Sequence, residues 1–280
     1  MKTIAFAGGL SRRRLLQAGG TAALCAVPLG WAQSSSGAGR LLINEAVTAD
    51  LSISMLALRY RGWADYLAPQ LKMRSMLVDP IIDIRRFVQQ ALVEDKPMIL
   101  FGKSVNQLSK LVRDHGYQPL VARSDPYRAA FIVPKDSGIR DLSQLTGRKL
   151  LMPDEAAATT AVAKAELRVR GVREPFISHT RYQDSVAAAV GAGMAEAGVV
   201  NPTIARRWKE AGGTVIGETR SVVNWSVLAS PKAPPELAAR LTEALLAMNG
   251  QTQMLNEIGV KQWQRADRKE YLALLEYTGE

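Results

Sequence analysis

The sequence predicts a two-lobed α/β protein, and three observations carry that expectation. Short β-type runs alternate with amphipathic helix patterns from Arg40 onward. The alternation then repeats in the second half of the chain. Two extended runs, near 124–133 and 222–229, stand where the chain would cross from one lobe to the other and back. The predicted lobes are residues 40–126 with 226–280, and residues 127–225. Two crossings make a hinge with a ligand cleft beside it. In open parallel sheets, strand carboxyl ends and helix amino termini gather on one edge, where ligands bind.

The elements follow in order. "RLLINEA" reads as a strand, and "LALRYRGWADYLAPQL" places Leu56, Tyr60, Trp63, Leu67 and Leu71 near one helical face. "RSMLVD" is a strand stopped by Asp79-Pro80. "DIRRFVQQALVED" is a helix with Ile84, Phe87, Val88, Ala91 and Leu92 inward. "PMILFG" is a buried strand, "SVNQLSKLVRDHG" a helix from Ser104 to Gly116, and "QPLVARSD" a strand. These make right-handed βαβ units on a largely parallel sheet. The second series runs through the strands "YRAAFIVPKDSG", "RKLLMP", "PFISHT" and "EAGVV". Its helices are "TTAVAKAELRVRG", "YQDSVAAAVGAG" and "PTIARRWKEAG", the last with Pro202 at a first-turn position. The extended runs "GTVIGET" and "VVNWSVLAS" precede three closing helices, expected to pack back onto the first lobe.

The amino-terminal region is set apart. Arg12, Arg13 and Arg14 precede a moderately apolar run that ends at Gly30-Trp31-Ala32, with small residues placed for cleavage after Ala32. "SRRRLL" resembles the twin-arginine export signal of bacteria. The apolar run is shorter than the ~20 residues a membrane span needs. Leu24 stands where a lipoprotein signal wants a small residue before Cys25. Residues 1–32 are therefore read as a twin-arginine signal peptide and 33–39 as a linker. The expected location is the periplasm, reached through the twin-arginine translocase.

Composition removes several classes of function. Loss of residues 1–32 takes Lys2 and three arginines and no acid, so the net charge of +10 falls by four to +6. It also takes Cys25, leaving no disulfide, thiolate metal site or cysteine nucleophile. Only His115 and His179 remain as imidazoles, far apart in sequence. The basic residues are spread without interleaved aromatics, so no nucleic-acid partner is expected. Modest positive charge favours capture of a small anion. No cofactor and no metal are expected, and there is neither a G-x-S-x-G elbow nor a dinucleotide glycine fingerprint.

Three places carry candidate chemistry. In "LLMPDEAAATTAVAKAEL", Thr159 and Thr160 open a helix directly after a strand. They are either ordinary caps or the floor of an anion site, where hydroxyls join free helix amides. Asp154 and Glu155 either face away or meet a cationic part of the ligand. Gly102-Lys103-Ser104 ends the third strand. It is either a capping serine beside a solvated lysine or an anion contact, and it lacks the spacing of a P-loop. In "SHTRYQDS", His179, Arg181, Tyr182 and Ser185 span a strand-to-helix turn, with Asp184 suited to the first helical turn. Tyr127 at the first crossing is a wall or a hinge contact. Trp225 at the second is read as packing, and Asn201 as the cap before Pro202 or a ligand contact.

Across roughly residues 41–277 the chain resembles the phosphate/phosphite/phosphonate-type substrate-binding proteins of ABC importers. The resemblance rests on "WADYLAPQL", "FVQQALVEDKPMILFG", "DSGIRDLSQLTGRKLLMP" and "YQDSVAAAVGAGMAEAGVVNP". It implies the two-lobed type 2 periplasmic binding fold. It also implies ligand contacts at Thr159, Thr160, Phe101, Gln183 and Asp184, to which the reading of the residues themselves adds Lys103, Ser104, Tyr127, Tyr182 and Asn201. The family's serine and threonine run maps to Ala158, Thr159, Thr160 and Ala161, so two hydroxyls remain. Its histidine-aspartate pair reads Gln183-Asp184. Phe101-Gly102 keeps the aromatic-glycine step, but Lys103 replaces the usual proline, and Ile84-Arg85 stands near an expected tyrosine. Lys103 and Arg85 point to a different anion from the family's usual one. The function implied is a monomeric, non-enzymatic exported protein that captures a phosphonate-like or other oxyanion for an ABC permease. A ligand-sensing receptor for a membrane signalling protein and an exported enzyme are the alternatives.

Overall fold

The strand runs of the first series pair into one sheet around β1 (Ala38–Asn44). In the computed structural model, which describes residues 37–45, 51–93 and 99–280, β1 lies parallel to β2 (Ser75–Ile81) and to β3 (Ile99–Gly102). Residues 1–36, which include the expected signal segment 1–32 and most of the expected linker, lie outside the described residues. Ala38 and Gly39, read as linker, are already paired with Ser75 and Met76. Pro80, expected to stop β2, sits inside it opposite Ile43. It is tolerated because β2 is the edge strand, where an absent N–H breaks no ladder on the open side.

The expected parallel run from β3 to β4 (Gln118–Arg123) is interrupted. Strand β10 (Ser226–Ala229) returns from the second lobe and lies antiparallel between the two. A short strand, β11 (Trp263–Arg265), which no sequence run announced, pairs antiparallel with the outer side of β4. The sheet is mixed because its fourth and sixth members arrive after the chain has crossed the hinge.

Helices cover both faces. Helix α1 (Ile53–Gln70) begins at Ser52, whose hydroxyl accepts the Met55 amide, and buries Leu56, Tyr60, Trp63 and Leu67. Tyr60, Trp63, Phe101, Trp225 and Trp263 meet in edge and stacked pairs with centroids 5.3–6.4 Å apart. Such pairs add about 0.5–1.5 kcal/mol each beyond buried area. Helix α2 (Ile84–Val93) buries Ile84, Phe87 and Ala91. Leu92, expected inward, is exposed, because the buried stripe of this helix is narrow. Helix α3 (Val105–Asp114) precedes β4.

The second sheet runs β7 (Phe176–His179), β6 (Lys149–Met152), β8 (Ala197–Val200), β5 (Ala130–Val133), β9 (Thr214–Glu218). Its helices are α4 (Ala158–Val169), α5 (Gln183–Gly191) and α6 (Pro202–Glu210). Gly198 lets α5 approach β8. A Cβ there would stand 2.6 Å from Val186 Cγ1 and 2.8 Å from Val190 Cγ2.

Two short segments, 124–129 and 219–225, join the lobes and are bridged to each other at Tyr127 and Val222. They are narrower than the sequence suggested, since residues 130–133 and 226–229 already belong to sheets. Of the closing helices, α7 (Pro235–Ala247) and α8 (Thr252–Glu257) pack on the first lobe. Helix α9 (Arg268–Thr278) touches both α3 and α4, and so both lobes. There the buried Glu166 accepts bonds from Tyr277 Oη (2.7 Å), Arg170 Nε (2.8 Å) and the Arg220 amide (3.0 Å). Burial alone would raise its pKa, but these donors outweigh burial and hold it below the ordinary 4.5. The stability this carboxylate supplies is present above that pH and lost as pH falls through its folded value. Among the described residues no helix is long and apolar enough to cross a membrane.

Candidate functional site

The carboxyl edges of both sheets face one cavity of about 620 Å³ beside the crossings. Four helices aim their amino termini at it: α3 through Ser104, α4 through Ala157 to Thr159, α5 through Gln183 and Asp184, and α6 through Asn201 to Ile204. Each contributes unpaired amides and the positive end of a helix dipole.

Helices α3, α4 and α5 have no side-chain capping bond, and only α4 is headed by a residue with no side-chain polar group. Its N-cap is Ala157, which has no side-chain acceptor. The first amide bonded within the helix is that of Ala161, to Ala157 O, so the amides of Ala158, Thr159 and Thr160 have no acceptor among the described residues. Thr159 and Thr160 are thus not caps, as the local sequence allowed, because the helix starts one residue earlier than expected.

The two threonines then part. Thr160 is fully buried, and its hydroxyl donates to Pro153 O at 3.2 Å, which takes it out of the cavity. Thr159 lines the cavity, and its partners fix its role. The Asn201 amide donates to Gln183 Oε1 (2.6 Å), which orients the Gln183 amide so that Nε2 donates to Thr159 Oγ1 (3.1 Å). Tyr127 Oη lies 2.6 Å from the same oxygen. With Tyr127 donating, both Thr159 lone pairs are filled, and its own proton is left for an acceptor in the cavity. Tyr127 is buried, and desolvation, partly opposed by the Thr159 bond, raises its pKa so that it stays a neutral donor.

The acids upstream face away. Asp154 Oδ1 accepts the Ala156 amide (2.8 Å) and lies 3.4 Å from exposed Arg85, while Glu155 reaches Lys164. Arg85 is therefore spent on Asp154 and does not line the cavity. His179 bonds Pro153 O, and the Arg181 guanidinium lies 5.5 Å from the Tyr182 ring. Tyr182 is the N-cap of α5 and does not line the cavity either. Phe101 is fully buried in the aromatic cluster behind Trp225 and supports the wall without forming it.

On the first-lobe wall, Lys103 and Ser104 do line the cavity, but Lys103 is not a free countercharge. Its Nζ donates to Glu45 Oε1, and the Tyr60 hydroxyl donates to Glu45 Oε2. The Lys103 and Glu45 side chains are only 5% and 2% exposed. Burial lowers the Lys103 pKa, and Glu45 partly restores it. Lys103 Nζ and Arg123 Cζ lie 4.0 and 4.4 Å from the Trp225 ring centroid. Arg123 is held bidentately by Asp125 at 2.6 and 2.9 Å, and Asp184 by Arg207 at 2.8 Å. Ser104 heads α3 without a side-chain capping bond, so its hydroxyl is not spent on the helix. Asn201 does cap α6, accepting the Ile204 amide at 3.0 Å.

Of the residues named from the sequence, Thr159, Lys103, Ser104, Tyr127, Gln183, Asp184 and Asn201 line the cavity, and Thr160, Phe101 and Tyr182 do not. The sequence reading missed Glu45, Arg59, Arg123, Arg206 and Lys261, and it assigned Trp225 to packing alone. Glu45 and Arg123 each had a signal, a charge at the carboxyl end of a buried strand. Lys261 had none, since it comes to the cavity only because β11 pairs with β4.

The sequence matches, over residues 46–271, the model of a family described as the phosphonate periplasmic substrate-binding protein of ABC transporters. No curated protein matches the sequence. The fold is similar to XAC2383 from Xanthomonas citri bound to ATP, with TM-score 0.72 and 16% identity over 87% of this chain and 98% of that one. It is also similar to PhnD1 from Prochlorococcus marinus in complex with methylphosphonate, with TM-score 0.70 and 14% identity over 86% and 96% of the two chains. The aliphatic sulphonate binding protein SsuA of Escherichia coli is more distant, with TM-score 0.57 and 14% identity over 86% and 83%.

Proposed function

We propose that this chain, which belongs to the phosphonate family of periplasmic substrate-binding proteins of ABC transporters, captures a small oxyanion between its lobes and delivers it to a membrane permease. The observation that carries this reading is the uncapped amino terminus of α4. The amides of Ala158 and Thr159, which have no acceptor among the described residues, and the Thr159 hydroxyl meet at one wall of the cavity. Neutral donors of this kind bind an oxyanion without demanding a fixed ligand charge. The methylphosphonate and ATP named for two of the similar structures both present phosphorus oxyanions, which supports the same ligand class.

In this reading the lobes are residues 40–126 with 226–280, and 127–225. The contact set is Thr159, Tyr127, Gln183, Ser104 and Asn201, with Lys103 and Asp184 as internally paired walls. The protein acts as a monomer, and its two-lobe contacts shift an open–closed equilibrium when the anion binds. Binding is the whole of its task, and no bond is made or broken.

The ligand class is tested by thermal unfolding of the mature protein with phosphate, phosphite, methylphosphonate, an aliphatic sulfonate and acetate. At least one should stabilise it saturably, by about 2.7 kcal/mol at a hundredfold excess over Kd. A flat response to all five overturns the reading. Export rests on the segment 1–32, with the twin-arginine translocase as the partner and cleavage after Ala32. Amino-terminal sequencing of the secreted protein should therefore begin at Gln33, and a product that keeps Arg12–Arg14 refutes it.

A further inference from the structure

The charges around the cavity do not balance, and the excess has a position. Six lining residues are cationic and three are acidic. Each acid is taken by one cation, in the pairs Lys103–Glu45, Arg123–Asp125 and Arg207–Asp184. Arg59, Arg206 and Lys261 are left over. Arg59 gives its Nε to Glu257 O (2.8 Å) and lies only at the 4.0 Å limit from Glu45, whose two oxygens are already engaged. Arg206 has a 3.8 Å contact with Glu210, both side chains well exposed, which holds little of its charge. Lys261 is exposed and pairs with no acid among the described residues.

None of these surplus cations belongs to the α4 amino terminus, where the first anion is placed. Arg206 is on α6 of the second lobe, and Lys261 lies just before β11 in the first, so the two belong to different walls of one cavity. A single phosphonate or phosphate at the α4 amino terminus uses neutral donors and leaves Arg206 and Lys261 unused, while Arg59 is tied to the Glu257 carbonyl. A cavity of about 620 Å³ is also in the range that accepts a drug-sized ligand rather than a bare oxyanion.

We infer that the physiological ligand carries at least two phosphate-type groups, one at the α4 amino terminus and a second drawn between Arg206 and Lys261. This rests on the oxyanion-binding reading above and narrows it to a diphosphate or bisphosphate. Contact with Arg206 and Lys261 together would tie the two lobes, so the second group would also favour closure.

The test is calorimetric titration with four probes at fixed ionic strength. Phosphate and methylphosphonate carry one anionic group, pyrophosphate two contiguous ones, and glucose 1,6-bisphosphate two separated ones. At least one of the last two should bind tenfold or more tightly than either of the first two. The exposed Arg206→Gln and Lys261→Gln substitutions, combined, should abolish that preference and change phosphate affinity less than threefold. Pyrophosphate and the hexose bisphosphate distinguish an inorganic from an organic source. If both two-group probes bind no better than phosphate, or if their preference survives the double substitution, this inference falls while oxyanion binding stands. If none of the four binds, both fall.

Discussion

Replacing Glu45 with glutamine should lower the unfolding free energy by about 3 kcal/mol, the lower end of what breaking a buried ion pair costs. The amide oxygen still accepts from Lys103, but the countercharge is gone, and the Lys103 side chain is 5% exposed. For a domain of this size that is a fall in Tm of about 6–12 °C. The pH dependence has a definite sign. Burial holds the Lys103 pKa below its ordinary 10.5. The cost of keeping the lysine charged is therefore present below its folded pKa and is relieved as pH rises through that value toward 10.5. Without Glu45 the relief should begin at lower pH, so the deficit against wild type narrows between neutral pH and pH 10. The double substitution Glu45→Gln with Lys103→Met should recover most of the loss at pH 7. Urea unfolding of the four proteins closes the cycle. A Glu45→Gln protein within 1 kcal/mol of wild type, or a double variant no better than the single, would mean that the pair is not desolvated.

The second large effect separates binding from folding at Thr159. Aspartate there offers Tyr127 and Gln183, which lie 2.6 and 3.1 Å from the Thr159 hydroxyl oxygen, a carboxylate acceptor one bond farther from the backbone. It also places a negative charge in the first turn of α4, where the dipole and three free amides stabilise it by about 0.3–1 kcal/mol. Because Thr159 is only 3% exposed, desolvation of the carboxylate offsets that gain, and the variant should stay folded and unfold no higher than wild type. Binding of any oxyanion should weaken by at least a hundredfold, about 2.7 kcal/mol, because a fixed carboxylate occupies the amides the ligand needs. Titration of the best anion from the screen reads the loss. Unchanged affinity would move the anion site away from α4 and return Thr159 to a structural role in the Tyr127–Gln183 network.

Much of this was legible in the residues. Alternation of β-type and amphipathic runs located β1 to β10, because burial of one face imposes a period that survives into the sequence. Pro202 after Asn201 marked the start of α6, since proline fits a first turn and asparagine accepts its amides. Pro80 misled, because its meaning depends on whether the strand has a neighbour on both sides. In the triple alanine 156–158, the missing side-chain acceptor at Ala157 is what leaves α4 open to an anion.

What the sequence alone determined is the set of elements and the places where strands hand over to helices, since both depend on local geometry and hydrophobic period. What only the tertiary structure decided is which side chains share the cavity. Thr159 and Thr160 are neighbours in the chain, but a helix turns them about 100° apart, so one faces the cleft and the other Pro153. Glu45 and Lys103 lie 58 positions apart, and they meet because β1 and β3 pair in parallel and end together. Charge neutralisation at the first-lobe wall is thus a product of strand register, which no local pattern encodes.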